Sequence, residues 1–93
     1  MSYKISDYSL HRANQLKVHI EPSNDKKHKI DVFDLKDNYI TSIGAIGYPD
    51  FPTYISTHGL KYAMQKRKNY KARHEKDRHV PDSRGFYADK ILW

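Results

Sequence analysis

The stretch from Leu16 to Gly44 constrains the fold more than any other, because it alternates apolar and polar residues three times with only short connections between. In "LKVHIEP", Leu16, Val18 and Ile20 fall on one side and Lys17, His19 and Glu21 on the other, the two-residue period of a half-buried strand. Pro22 ends that run. "SNDKK" supplies turn chemistry, and "HKIDVFDL" repeats the alternation with Ile30, Val32 and Asp34 opposed to Asp31, Phe33 and Leu35. "KDN" is a second turn, and "YITSIG" sets Ile40, Ser42 and Gly44 against Tyr39, Thr41 and Ile43 in a run rich in β-branched residues. Connections this short predict a three-stranded antiparallel meander, since parallel neighbours need a crossover of a dozen or more residues.

Such a sheet needs a cover for its apolar face, and the second half of the chain supplies the candidates. "GAIGYPDFP" (44–52) takes the chain out of the sheet through two glycines and two prolines. Asp50 or Thr53 can cap a short helical turn through "TYISTH", and Gly59 marks a kink or a stop. "LKYAMQKRKNYKARHEKD" (60–77) then consists largely of strong helix formers. Pro81 closes it, "DSRG" is a loop or cap, and "FYADKILW" reads as a short amphipathic helix with Phe86, Ile91, Leu92 and Trp93 on its apolar side. At the other end, Ser6 can cap a short helix over "DYSLHRAN", or the same residues can form an extended arm that orders on a partner. The expected architecture is α+β: residues 1–15 as arm or short helix, and 16–93 as a single small domain. In that domain the three-stranded β-meander packs against a long basic helix and a short C-terminal helix.

A chain of 93 residues has room for one small core and buries only about 60 to 65% of the surface it exposes when unfolded. With 38% hydrophobic residues and a mean hydropathy of −0.93, the large contact areas must come from 8 tyrosines, 3 phenylalanines and 1 tryptophan. Cysteine is absent, which excludes disulfides, thiolate zinc sites and cysteine nucleophiles. The N-terminus lacks an apolar signal-peptide core, and no run approaches the ~20 apolar residues of a membrane span. These features predict a soluble protein, with no membrane partner.

The net charge of +6 is unevenly placed: residues 1–46 carry 7 Lys/Arg against 6 Asp/Glu, and residues 47–93 carry 10 against 5. A localised positive field attracts polyanions. On a helical projection Leu60, Ala63, Met64 and Tyr70 gather on one side, and Arg67, Lys71, His74 and Arg78 prolong it where a longer core contact would need Leu or Ile. Phe51, Leu60, Met64, Tyr70, Phe86, Leu92 and Trp93 are the expected anchors of helix to sheet. Lys66, Arg67, Lys68, Lys71, Arg73, Lys76 and Arg78 are the candidate nucleic-acid contacts. Such a cation set gives salt-sensitive, sequence-independent affinity of about 10⁻⁴ to 10⁻⁶ M. No helix-turn-helix frame sets Asn, Gln or Arg against base edges, so DNA and RNA are equally served.

Six histidines raise a metal or hydrolytic alternative, with Asp50, His58, His74 and Glu75 as the residues that would have to converge. The spacing of His74 and His79 is five, which does not put both imidazoles on one helix face as an i, i+4 pair would. No P-loop, dinucleotide-binding glycine pattern or G-x-S-x-G elbow is present. The sequence therefore assigns no catalytic residue, no metal ligand and no cofactor.

"IGAIGYPDF", "KARHEKDR" and "GFYADKILW" together resemble a family of short viral proteins of unassigned function, found in giant DNA viruses and tailed bacteriophages. The matching residues are Gly47, Tyr48, Asp50, Phe51, Tyr70, Arg73, His74, Gly85, Leu92 and Trp93, across about residues 30–93. Giant-virus members continue past the Leu-Trp pair, and the family has no assigned catalytic residues to transfer. The resemblance implies a viral accessory protein acting in host cytoplasm or virion, where a small basic chain meets genome or capsid. Three functions are thus in play: a non-enzymatic nucleic-acid binder, free or virion-borne, a capsid or other protein-binding module, and a small metal-dependent nuclease. Inhibition of a host enzyme is a further role open to such a chain.

Overall fold

Ser6, Asp50 and Ser83 each accept a hydrogen bond from the backbone N–H three residues on, at Ser9, Thr53 and Phe86, and each starts a helix by satisfying a donor with no intrahelical partner. In the computed structural model, which describes residues 3–93, these are α1 (Asp7–Gln15), α2 (Phe51–His58) and α4 (Arg84–Ile91). Between the first two lie β1 (His19–Pro22), β2 (His28–Phe33) and β3 (Tyr39–Ala45), and α3 (Leu60–Arg73) follows α2 after Gly59. The three strands form one antiparallel sheet in the order β1-β2-β3, so the α+β class and the meander stand as expected. Of the two expectations for the N-terminal segment, a short helix is the one formed; residues 1 and 2 lie outside the described residues.

β1 is shorter than the alternation suggested. The N–H groups of Leu16, Lys17 and Val18 donate to the carbonyls of Arg12, Asn14 and Ala13, all at 3.1 Å, so closing α1 takes the residues that open the alternating run. Lys17 accordingly sits at a φ of 58°.

The core lies between the sheet and α4. Ile30, Val32 and Ile43 from the strands meet Ile91 and Leu92, all 1% exposed or less. Each such side chain contributes about 1.5 to 3 kcal/mol relative to exposure. Gly44, at a φ of 77°, lets the sheet approach this helix: a Cβ there would stand 2.7 Å from Cδ1 of Leu92.

Helix α4 leaves its last carbonyls without intrahelical partners, and other parts of the chain satisfy four in succession. Arg12 Nε donates to the Lys90 carbonyl at 2.6 Å, Ser9 Oγ to Ile91 at 2.8 Å, the Phe51 N–H to Leu92 at 3.0 Å and Tyr8 OH to Trp93 at 3.0 Å. Residues of α1 are therefore held by hydrogen bonds to the last turn of the chain, with a cation at the negative end of the helix dipole.

The covering helices are α4 and α1, while α3 packs mainly on α2. Helix α3 ends at Arg73, and residues 74–83 form turns, so the basic run is split between a helix and an irregular segment. His74 ends the helix at φ −106°, ψ 20°, and its carbonyl receives the N–H groups of Asp77 and Arg78. Phe51, Leu92 and Trp93 are buried anchors and Tyr70 and Phe86 are half-buried ones, but Leu60 and Met64 are 56% and 55% exposed. The inward row of α3 is Ala63, Arg67 and Lys71, joined by Tyr70, and it leaves Leu60 and Met64 facing solvent.

Candidate nucleic-acid interface

The cations of the second half divide into two groups by what surrounds them. The first is organised by Asp89, which is completely buried. Lys71 Nζ donates to its Oδ1 at 2.7 Å, while Arg78 and Lys90 approach Oδ2 at 3.7 and 3.8 Å. Burial lowers the pKa of Lys71, the neighbouring Arg67 and Arg78 charges press the same way, and the bond to Asp89 opposes them. Arg67, one turn earlier, lays its guanidinium over the Phe51 ring at 5.1 Å. Three sequence-predicted contacts, Arg67, Lys71 and Arg78, are thus occupied in holding α3 and the following turns to the body of the fold.

The second group lines an open groove of about 1030 Å³ bounded by the β3–α2 loop, α3 and the start and end of α4. Lys66 and Arg73 reach it from α3 and Arg84 from α4, together with Asn69. None of these three cations has an acidic partner within ion-pair distance among the described residues. Lys68 and Lys76 are exposed outside the groove. The predicted seven are therefore not placed on one surface: two line the groove, two stand in solvent and three face inward.

Aromatic rings make up much of the groove wall. Tyr70 stacks on Trp93, centroids 4.4 Å apart and planes 8° off parallel, and His74 packs against Tyr70 at 4.3 Å, tilted by 31°. Tyr54 adjoins Trp93 at 6.1 Å, and Lys66 stands 5.9 Å from the Tyr54 centroid. The Tyr70 hydroxyl is pushed up to about 12, by burial first and then by the Asp89 and Asp77 charges, so the ring is neutral near pH 7. Tyr48 stands at the rim, 72% exposed.

Asp50 fixes that rim. It is 1% exposed, accepts from Tyr3 OH at 2.7 Å and Lys29 Nζ at 3.0 Å, and caps α2 through Thr53 N at 3.0 Å and Thr53 Oγ1 at 2.6 Å. Lys29 also donates to the Tyr48 carbonyl, tying the loop to β2. Burial alone would raise the Asp50 carboxyl, but bonds from Thr53 and Tyr3 and the Lys29 ammonium outweigh it and hold the carboxyl below its ordinary range. Burial and the Asp50 charge push the Tyr3 hydroxyl well up.

Lys29, Tyr48, Tyr54, Asn69 and Arg84 were not among the predicted contacts. Arg84 carries the one sequence signal that could have found it, a cation between Ser83, a candidate cap, and the Gly85 of the resemblance. The residues of the hydrolytic alternative have separate partners. Asp50 serves the hub just described, His58 stacks on Tyr62 at 4.4 Å, His74 meets Asp77 at 3.4 Å, and Glu75 binds Arg78 at 2.9 Å and His79 at 2.8 Å. Among the described residues no three His, Asp or Glu side chains converge as a metal site, and no helix is long and apolar enough to cross a membrane. Comparison with protein-family models, curated proteins and solved structures found no match to this chain.

Proposed function

We propose that the chain is a non-enzymatic accessory protein that binds nucleic acid through the groove between α3, α4 and the β3–α2 loop. The carrying observation is that Lys66, Arg73 and Arg84 line one groove without acidic partners among the described residues, interleaved with Tyr54, Tyr70, His74 and Asn69. Cations without an ion-pair partner are available to phosphates, and aromatic side chains along the same groove, with Tyr48 exposed at its rim, offer surface to bases. The viral resemblance of the sequence agrees with this reading and adds the host cytoplasm or virion as its setting. The test is fluorescence anisotropy with labelled DNA and RNA oligonucleotides. Binding is expected to weaken roughly 20-fold between about 50 and 200 mM salt if three phosphates are neutralised. No measurable binding at the lower salt concentration contradicts the proposal.

A second reading, as a capsid or other protein-binding module, is favoured by one observation. Ile55, Leu60 and Met64 are exposed near the α2–α3 corner, away from the groove. Recovery of the chain at fixed stoichiometry in purified, genome-free capsids supports it over the first reading.

A further inference from the structure

We infer, on the basis of the nucleic-acid reading, that the occupant of the groove is a single strand whose bases stack on Tyr48. Tyr48 differs from the other groove aromatics. Tyr54, Tyr70, His74 and Trp93 each lie within 6.1 Å of another ring, so part of each ring already has a structural use. Tyr48 has no ring partner among the described residues and is 72% exposed, yet its backbone is held from two sides. Its carbonyl accepts from Lys29, and its N–H donates to the Ala45 carbonyl at 3.3 Å. A fixed backbone carrying an open ring loses little entropy on stacking, which suits it as a platform.

The choice between strand types follows from the same residue. In a duplex the faces of a base are covered by its stacked neighbours, so a ring at the groove rim has no base face to meet. In a single strand bases unstack easily and any base can meet the ring, which makes the contact tolerant of sequence. The cations carry no base-reading geometry, as Lys66 and Arg73 extend from one helix face and Arg84 from another. Sequence-independent recognition of a single-stranded segment is the function this combination serves.

The experiment compares three probes of equal phosphate number on the intact chain by anisotropy: a mixed-sequence single strand, the same strand made abasic, and a duplex. The single strand is expected to bind at least roughly tenfold more tightly than the abasic strand. Tyr48→Leu is expected to weaken the base-bearing strand by a similar factor and leave the abasic strand unchanged, and Tyr48→Phe to retain wild-type affinity. Equal binding of abasic and base-bearing strands, or duplex binding as tight as single-strand binding, overturns the single-strand inference and leaves a purely phosphate-directed groove. Failure of every probe to bind overturns the nucleic-acid reading as well. Unchanged circular dichroism and denaturation midpoints for both Tyr48 variants establish that the comparison is between folded proteins.

Discussion

Two sets of basic side chains, each drawn from α3 and the segment that follows it, have opposite surroundings. Lys71 and Arg78 converge on a buried carboxylate and Arg67 lies over Phe51, whereas Lys66, Arg73 and Arg84 face an open groove with no acid within ion-pair reach among the described residues. On α3 itself a rotation about the helix separates Arg67 and Lys71, which serve cohesion, from Lys66 and Arg73, which line the groove. A run of Lys and Arg in a small domain therefore says little about binding until the burial of its counter-charges is known.

The sharpest way to break the inner set is to remove its anion. Asp89→Ala leaves Lys71 half-buried without its acceptor and removes the charge that Arg78 and Lys90 face; because Lys71 keeps some access to water, the expected cost is about 2 to 4 kcal/mol, short of a wholly buried pair. Urea denaturation is expected to show that loss, and a change under about 1 kcal/mol would mean that Asp89 is dispensable to the fold. Next in size is Gly44→Ala, at the seam between the groove and the core. The added Cβ meets Leu92 in a backbone conformation that side chains rarely adopt, so a loss of about 1 to 3 kcal/mol is expected by the same measurement.

Acid sharpens the contrast from the side of the groove rim. The folded-state pKa of Asp50 lies below its ordinary 3.8, so its contribution is complete above that value and falls away as pH drops through the lower folded value. Unfolding free energy measured from pH 7 down to about pH 2 should therefore fall most below roughly pH 3.8, and Asp50→Asn should flatten that limb. Some slope will persist, because Asp25, Asp34 and Glu75 are also held low by hydrogen bonds. An acid limb identical in the variant would detach Asp50 from the stability of the rim.

Much of this fold is legible in the sequence because its signals are local. The alternation around Ile30 and Ile43 and the capping residues Ser6 and Asp50 act within a few residues, and the sheet and two helix starts follow from them. Leu60, Met64 and the end of α3 are not legible in that way. The inward row of α3 is decided by which residues face α2, Trp93 and Asp89, so Arg67 and Lys71 contribute aliphatic stems and charge where Leu or Ile would be expected. Helix α3 ends at Arg73 without a glycine or proline there, and Pro81 comes eight residues later. Asp89 looks unremarkable in "FYADKILW", and only the tertiary fold gathers Lys71, Arg78 and Lys90 around it. For the candidate site, the sequence located basic charge in the second half, but the groove needed the β3–α2 loop and Arg84, which are distant from α3 in the chain.

The smallest expected effect on stability accompanies the largest on binding. Replacing Lys66, Arg73 and Arg84 together by Gln should change unfolding free energy by no more than about 0.5 kcal/mol per site, since none has an ion-pair partner among the described residues. The central claim, that these groove residues rather than the basic run at large hold nucleic acid, is tested most directly by the salt dependence of affinity for a single strand. The triple variant is expected to lower the slope of log K against log salt by about 2, from a loss of roughly 0.7 per phosphate contact, while Lys68→Gln with Lys76→Gln leaves it unchanged. Equal losses of slope in the two variants would contradict the account.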